Sequence, residues 1–101
     1  MRVLLLALPL ALIAYPALAT APAAQAGADR ATARACRSVS GLKDARVEGA
    51  PVRFSDTFGM DVRLVRGTWP QPHMHGASAT MLCLYDRRAA RAETQEWPAP
   101  K

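Results

Sequence analysis

From residue 45 onward the chain alternates between apolar and polar positions. Val47 stands between Arg46 and Glu48, and Val52 and Phe54 are separated by Arg53, a period of two that marks strands with one half-buried face. The parity slips between these stretches at Gly49-Ala50-Pro51, and because proline cannot donate to a central ladder, the slip predicts a bulge or a tight turn. Asp56-Thr57-Phe58-Gly59 reads as the next turn. Met60, Val62 and Leu64 then fall on one side and Asp61 and Arg63 on the other, so the expected hairpin turns the three apolar residues toward the core and the two charged ones toward water.

Residues 67–79 carry two prolines, two glycines and no periodicity, which predicts a long loop. Met81-Leu82-Cys83-Leu84-Tyr85 is apolar on both faces and is the candidate central strand. Asp86 to Ala90 turns the chain, and Arg91 to Trp97 alternates as a return strand whose Glu93 and Glu96 can meet arginines. Ahead of the strands, Asp29 is placed to cap a short helix running to Cys36 or Arg37 and ended by Ser40-Gly41. Thr32, Cys36 and Val39 share a face of that helix, which directs Cys36 inward. The fold class expected is therefore mainly β, a small antiparallel meander or roll of three to four strands with a short N-terminal helix.

The first nineteen residues read differently. Arg2 supplies a positive charge, Val3 to Ala14 is an apolar run broken by Pro9, and Ala17-Leu18-Ala19 offers small residues where a signal peptidase cuts; together they predict a secretory signal, with Ala24-Gln25-Ala26 a second possible cut. Pro9, Tyr15 and Pro16 argue against a retained anchor, so no membrane span is expected after cleavage. Thr20 to Ala28 holds five alanines, a proline and a glycine without charge or large apolar residues, and reads as a flexible leader. Residues 29–97 make a single small domain and 98–101 a frayed tail. The high alanine and arginine content suggests a bacterial source, hence the periplasm or the medium.

Composition adds two constraints. After residue 19 only nineteen large apolar residues remain, too few for two domains or a deep-pocketed enzyme fold. In an oxidising compartment the two cysteines, Cys36 and Cys83, are then expected to form one disulfide, closing a long loop and restricting the unfolded chain by about 4 kcal/mol.

Candidate chemistry is sparse. The exported chain carries twelve Lys and Arg against eight acids, and Arg87, Arg88 and Arg91 crowd one turn. Outside the cytoplasm this suits an acidic envelope component or an acidic protein, and no nucleic acid is expected, since no aromatics interleave with the arginines. Trp69 beside Pro70 and Pro72 offers a rigid contact surface, although both tryptophans, Trp69 and Trp97, are also wanted by so thin a core. The leading expectation is thus a binding module of unknown partner, without cofactor, using Trp69, Arg87, Arg88 and Arg91. The alternative is a periplasmic copper or zinc protein in which His73, Met74 and His75 supply imidazole and thioether ligands, with Met60 or Met81 as a further donor. A small secreted enzyme stands third: no nucleophile motif, carboxylate pair or phosphate-binding loop occurs, and catalysis is not expected.

Overall fold

The computed structural model describes residues 22–99; the expected signal segment lies outside them. An alanine- and arginine-rich helix, α1 (Pro22–Val39), precedes four strands: β1 (Lys43–Arg53), β2 (Met60–Thr68), β3 (Ser78–Asp86) and β4 (Arg91–Glu96). They form one antiparallel meander in the order β1-β2-β3-β4, so every strand pairs with its neighbours in sequence. The mainly β architecture with one N-terminal helix matches the expectation, at the upper strand count.

The helix begins seven residues earlier than Asp29. Pro22 sits at its first position, where the missing N–H costs nothing, and the alanines that follow are strong helix formers. Asp29 is therefore not a cap; it accepts from Gln25 Nε2 one turn back at 3.1 Å. Most of the segment read as a leader is helical, and a cut after Ala26 would fall inside α1. The predicted stop holds: Ser40 Oγ donates to Arg37 O at 2.8 Å, and Gly41 takes a φ of +73°.

α1 crosses one face of the sheet diagonally. Just before its midpoint Asp29 meets Arg53 of β1 at 2.9 Å, in its second half Cys36 bonds to Cys83 of β3, and at its end Val39 O accepts from Thr94 of β4. The cystine is fully buried with a Cα separation of 5.8 Å, and Val65 and Met81 pack around it. Thr32 and Cys36 point inward as expected, but Val39 is 45% exposed because the helix has reached the sheet's edge.

The slip at Gly49-Ala50-Pro51 is a bulge. Glu48 pairs with Leu64 and Val52 with Val62, so β1 spends four residues where β2 spends two, and Gly49 supplies a φ of +71°. Pro51 is tolerated because β1 is an edge strand. The long loop is shorter than residues 67–79: β2 continues to Thr68, β3 starts at Ser78, and Trp69 N donates to Ala77 O across the base. Gly67 pairs with Ala79 within the strand, and the position takes glycine because a Cβ there would stand 2.7 Å from Lys43 O and 2.8 Å from Leu42 Cβ.

The largest departure concerns which face of β2 is covered. Asp61, Arg63 and Val65 lie beneath the helix and are buried, whereas Met60, Val62 and Leu64 occupy the opposite, uncovered face and are half-buried. The alternation holds, but inside and outside are the reverse of the expectation from sequence. Asp61 tolerates burial because it is ion-paired, and Arg63 because two backbone carbonyls receive its terminal nitrogens, although its buried Nε has no partner. Asp61, 1% exposed, receives Arg87 Nη1 at 2.6 Å and Arg53 Nε at 3.2 Å, while Arg63 donates to Asp29 O and Gly49 O.

Candidate functional site

The structure does not bring the expected contact residues together. Trp69 lies just beyond the end of β2 and Arg87 just beyond the end of β3, and the antiparallel register, Met60 opposite Asp86 and Thr68 opposite Ser78, puts them at opposite ends of the sheet. Nine residues of β2 separate the two ends, about 27 Å.

Arg87 is also turned inward, and Arg88, although exposed, is tied to neighbouring carbonyls. Arg87 donates to Met60 O, Phe54 O, Asp56 Oδ1 and Asp61 Oδ1, and Arg88 reaches Asp56 O and Thr57 O. Both guanidinium groups thus pin the β1–β2 turn to the β3–β4 turn. Arg91 is exposed, in register with Asp86. Arg53 completes the charged end: hydrogen bonding to Asp61, stronger than the opposing effect of burial, holds its pKa above the ordinary value. Of the three arginines legible in the sequence as a docking patch, Arg87 is committed to internal pairing while Arg88 and Arg91 stay exposed, and the missing signal was Asp61, whose burial draws both Arg53 and Arg87 toward it.

At the other end, Trp69 packs against the core cluster. Pro72–Met74 form a single 3-10 turn, closed by His75 N to Pro72 O, with His75 in the left-handed region at φ 52°. Trp69, Gln71, His73 and Met74 line a shallow depression of about 240 Å³, and both imidazoles are exposed. Met60 stands at the far end of the sheet and Met81 is buried in the core, so neither joins His73, Met74 and His75. Among the described residues no group of three or more His, Cys, Asp and Glu could hold a metal ion.

A larger feature lies at the same end on the uncovered face. A cleft of about 730 Å³ is lined by Lys43, Arg46 and Arg66, by the hydroxyl residues Thr68, Ser78 and Thr80, and by Trp97. Four strands converge to make it. The register places Arg46 beside Arg66 and Arg66 beside Thr80, and Trp97 N donates to Thr80 O, which carries the last residues of the return strand along the cleft's far wall. Asp44 and Glu96 also contribute to the lining, so that three cations stand beside two carboxylates there, with Glu48 paired to Arg66 next to it. Trp97, expected in the core, is 53% exposed, since β4 is an edge strand and the helix covers the other face. Arg66 lies 3.4 Å from Glu48 and 3.4 Å from Thr80 Oγ1, contacts that aim its guanidinium across the cleft. The signal available in sequence was weak: Lys43, Arg46, Arg66 and Trp97 are spread over 55 residues and meet only through the register.

The fold and cleft describe a two-layer module, one helix on one face of a four-stranded meander with an open second face. No known family, characterised protein or solved structure matches this chain. The buried cystine accords with an oxidising environment, and among the described residues no helix is long and apolar enough to cross a membrane.

Proposed function

We propose that the chain is a small exported binding module that holds an anionic ligand, presenting carboxylates or phosphates, in the cleft at the open end of the sheet. The observation that carries this reading is the meeting of Lys43, Arg46 and Arg66 with three hydroxyl residues and an exposed tryptophan in one open groove. Guanidinium forks suit oxyanions, hydroxyls accept or donate to polar neighbours, and the tryptophan supplies apolar contact area at small entropic cost. A groove open to solvent suits a segment of a longer acidic polymer better than a small enclosed substrate. An envelope polymer would meet such a module outside the cytoplasm, where the signal segment is expected to send it.

The test is binding of the full chain to a carboxylated polysaccharide and to polyphosphate over a salt series. Affinity falls steeply with salt in the native chain. In the Lys43→Glu, Arg46→Glu, Arg66→Glu variant it drops by at least about tenfold, near the loss of one contact's worth of energy, while Arg91→Glu, at the opposite end, has little effect. Equal loss in the Arg91 variant would return the site to the turn first expected from sequence. Binding to acidic peptides alone would make the partner a protein. A retained equivalent of copper or zinc, lost in a His73→Ala, His75→Ala variant, would favour the metal reading.

A further inference from the structure

The uncovered face carries an apolar surface that the cleft does not use. Its register places Val52, Val62 and Leu84 in one row across three strands, and Leu64 beside Leu82 in the next. Val52 is 58% and Leu84 42% exposed. Around these five aliphatics stand Phe54, Glu48, Glu93, Gln95 and Arg91, a polar and aromatic rim around an apolar centre. A sheet with central aliphatics on both faces calls for a second layer on each, and α1 supplies one of them.

We propose that this face packs against the same face of a second copy, forming a sandwich of two four-stranded sheets with the helices outside. Three observations select a second copy as occupant. First, the two central strands are self-complementary. A two-fold axis running between β2 and β3 sets Val62 over Leu84 of the partner subunit and Leu64 over Leu82 of the partner subunit, and the reciprocal contacts follow by symmetry. Secondly, the same rotation lays β1 over β4 of the partner subunit without opposing like charges. Phe54 then comes over Arg91 of the partner subunit, a cation on an aromatic face, Val52 over the methylenes of Glu93 of the partner subunit, whose carboxylate reaches solvent at the edge strand, and Glu48 over Gln95 of the partner subunit. Thirdly, the size suffices. Four strands about 4.8 Å apart and the three outward rows from Met60 to Leu64, roughly 20 Å of strand that stops short of the cleft's Arg66, give about 400 Å² of flat area per copy. Corrugated by side chains, the pair buries on the order of 1,000 Å², where specific interfaces begin. The sheets would lie within about 30° of each other, the usual alignment of packed sheets. Because the axis runs along the strands, both clefts open at the same end of the pair.

Sedimentation equilibrium of the full chain through the micromolar range tests this. The native chain self-associates to a dimer. Leu84→Asp and Val52→Asp, both at exposed positions, keep the cystine and the far-ultraviolet spectrum of the native fold but weaken dimerisation by at least about 30-fold, as loss of a central contact does. Phe58→Asp, in the β1–β2 turn and off the proposed interface, leaves the dimer intact. A native chain that stays monomeric throughout overturns the proposal, as does a dimer that survives both aspartate substitutions. A monomer that binds zwitterionic vesicles through Leu84 would likewise overturn it and give the face to a lipid surface.

Discussion

The two faces of the sheet reverse the usual division of labour. Beneath the helix lie a cystine, Val65 and Met81, but also a buried aspartate and a buried arginine; on the open side lie five aliphatic residues with only solvent above them. The covered face is held by bonds with direction, a disulfide and charge-assisted hydrogen bonds. The open face is held only by its neighbours in the sheet. In a chain with so few large apolar residues, stability need not lie where the aliphatic residues are. One face is specified by linkage and pairing, and the aliphatic surplus is left for association.

The contrast is sharpest where a linkage is removed. Replacing Cys36 and Cys83 together by serine frees a loop whose ends are 47 residues apart and costs about 4 kcal/mol. Urea unfolding with and without reductant measures it, and the reduced native chain and the double variant are expected to unfold alike. Next comes Asp61→Asn, which leaves Arg53 and Arg87 facing a neutral group. Because both guanidiniums retain some solvent and other partners, the loss is about 2–3 kcal/mol, below that of a fully enclosed pair. Chemical denaturation gives that value, and a loss no larger than that of an exposed substitution would show the charged end to be incidental. Third, Val65→Ala and Val62→Ala compare near-neighbours on opposite faces of one strand. Val65 is fully buried and its truncation costs about 2 kcal/mol, whereas Val62→Ala costs less than about 1 kcal/mol under monomeric conditions. Similar losses would erase the distinction between the faces. Smallest is Phe58→Ser at an exposed turn position, expected within about 0.5 kcal/mol of the native chain.

Much of the fold was legible because its signals are local. The parity slip at Gly49-Ala50-Pro51, the turn at Asp56 to Gly59, the helix stop at Ser40-Gly41 and the single cysteine pair each follow from backbone chemistry or from counting. The orientation of β2 was not. A period of two says that Met60, Val62 and Leu64 lie opposite Asp61 and Arg63, but nothing in it says which side a helix will cover. That choice was made by partners 24 to 34 residues distant in sequence, Asp29 beside Arg53 and Asp29 O accepting from Arg63. The early helix start is not legible because an uncharged alanine segment looks identical whether it coils or docks. The cleft is not legible for a related reason: its cations and its tryptophan become neighbours only when β1, β2, β3 and the end of β4 lie in register.

Arg87 gives the molecule a polarity along its length. Its guanidinium fastens two turns at one end of the sheet, the cystine fastens the middle, and the opposite end, where Lys43 meets Thr68, is held across β1 and β2 by ordinary backbone pairing beside a bulge. Thermal fluctuations should therefore open the domain from the cleft end, like pages bound along one margin. Amide exchange along β2 would then slow from Thr68 toward Asp61, with the ligand groove at the end that loosens first and the spine at the end that loosens last.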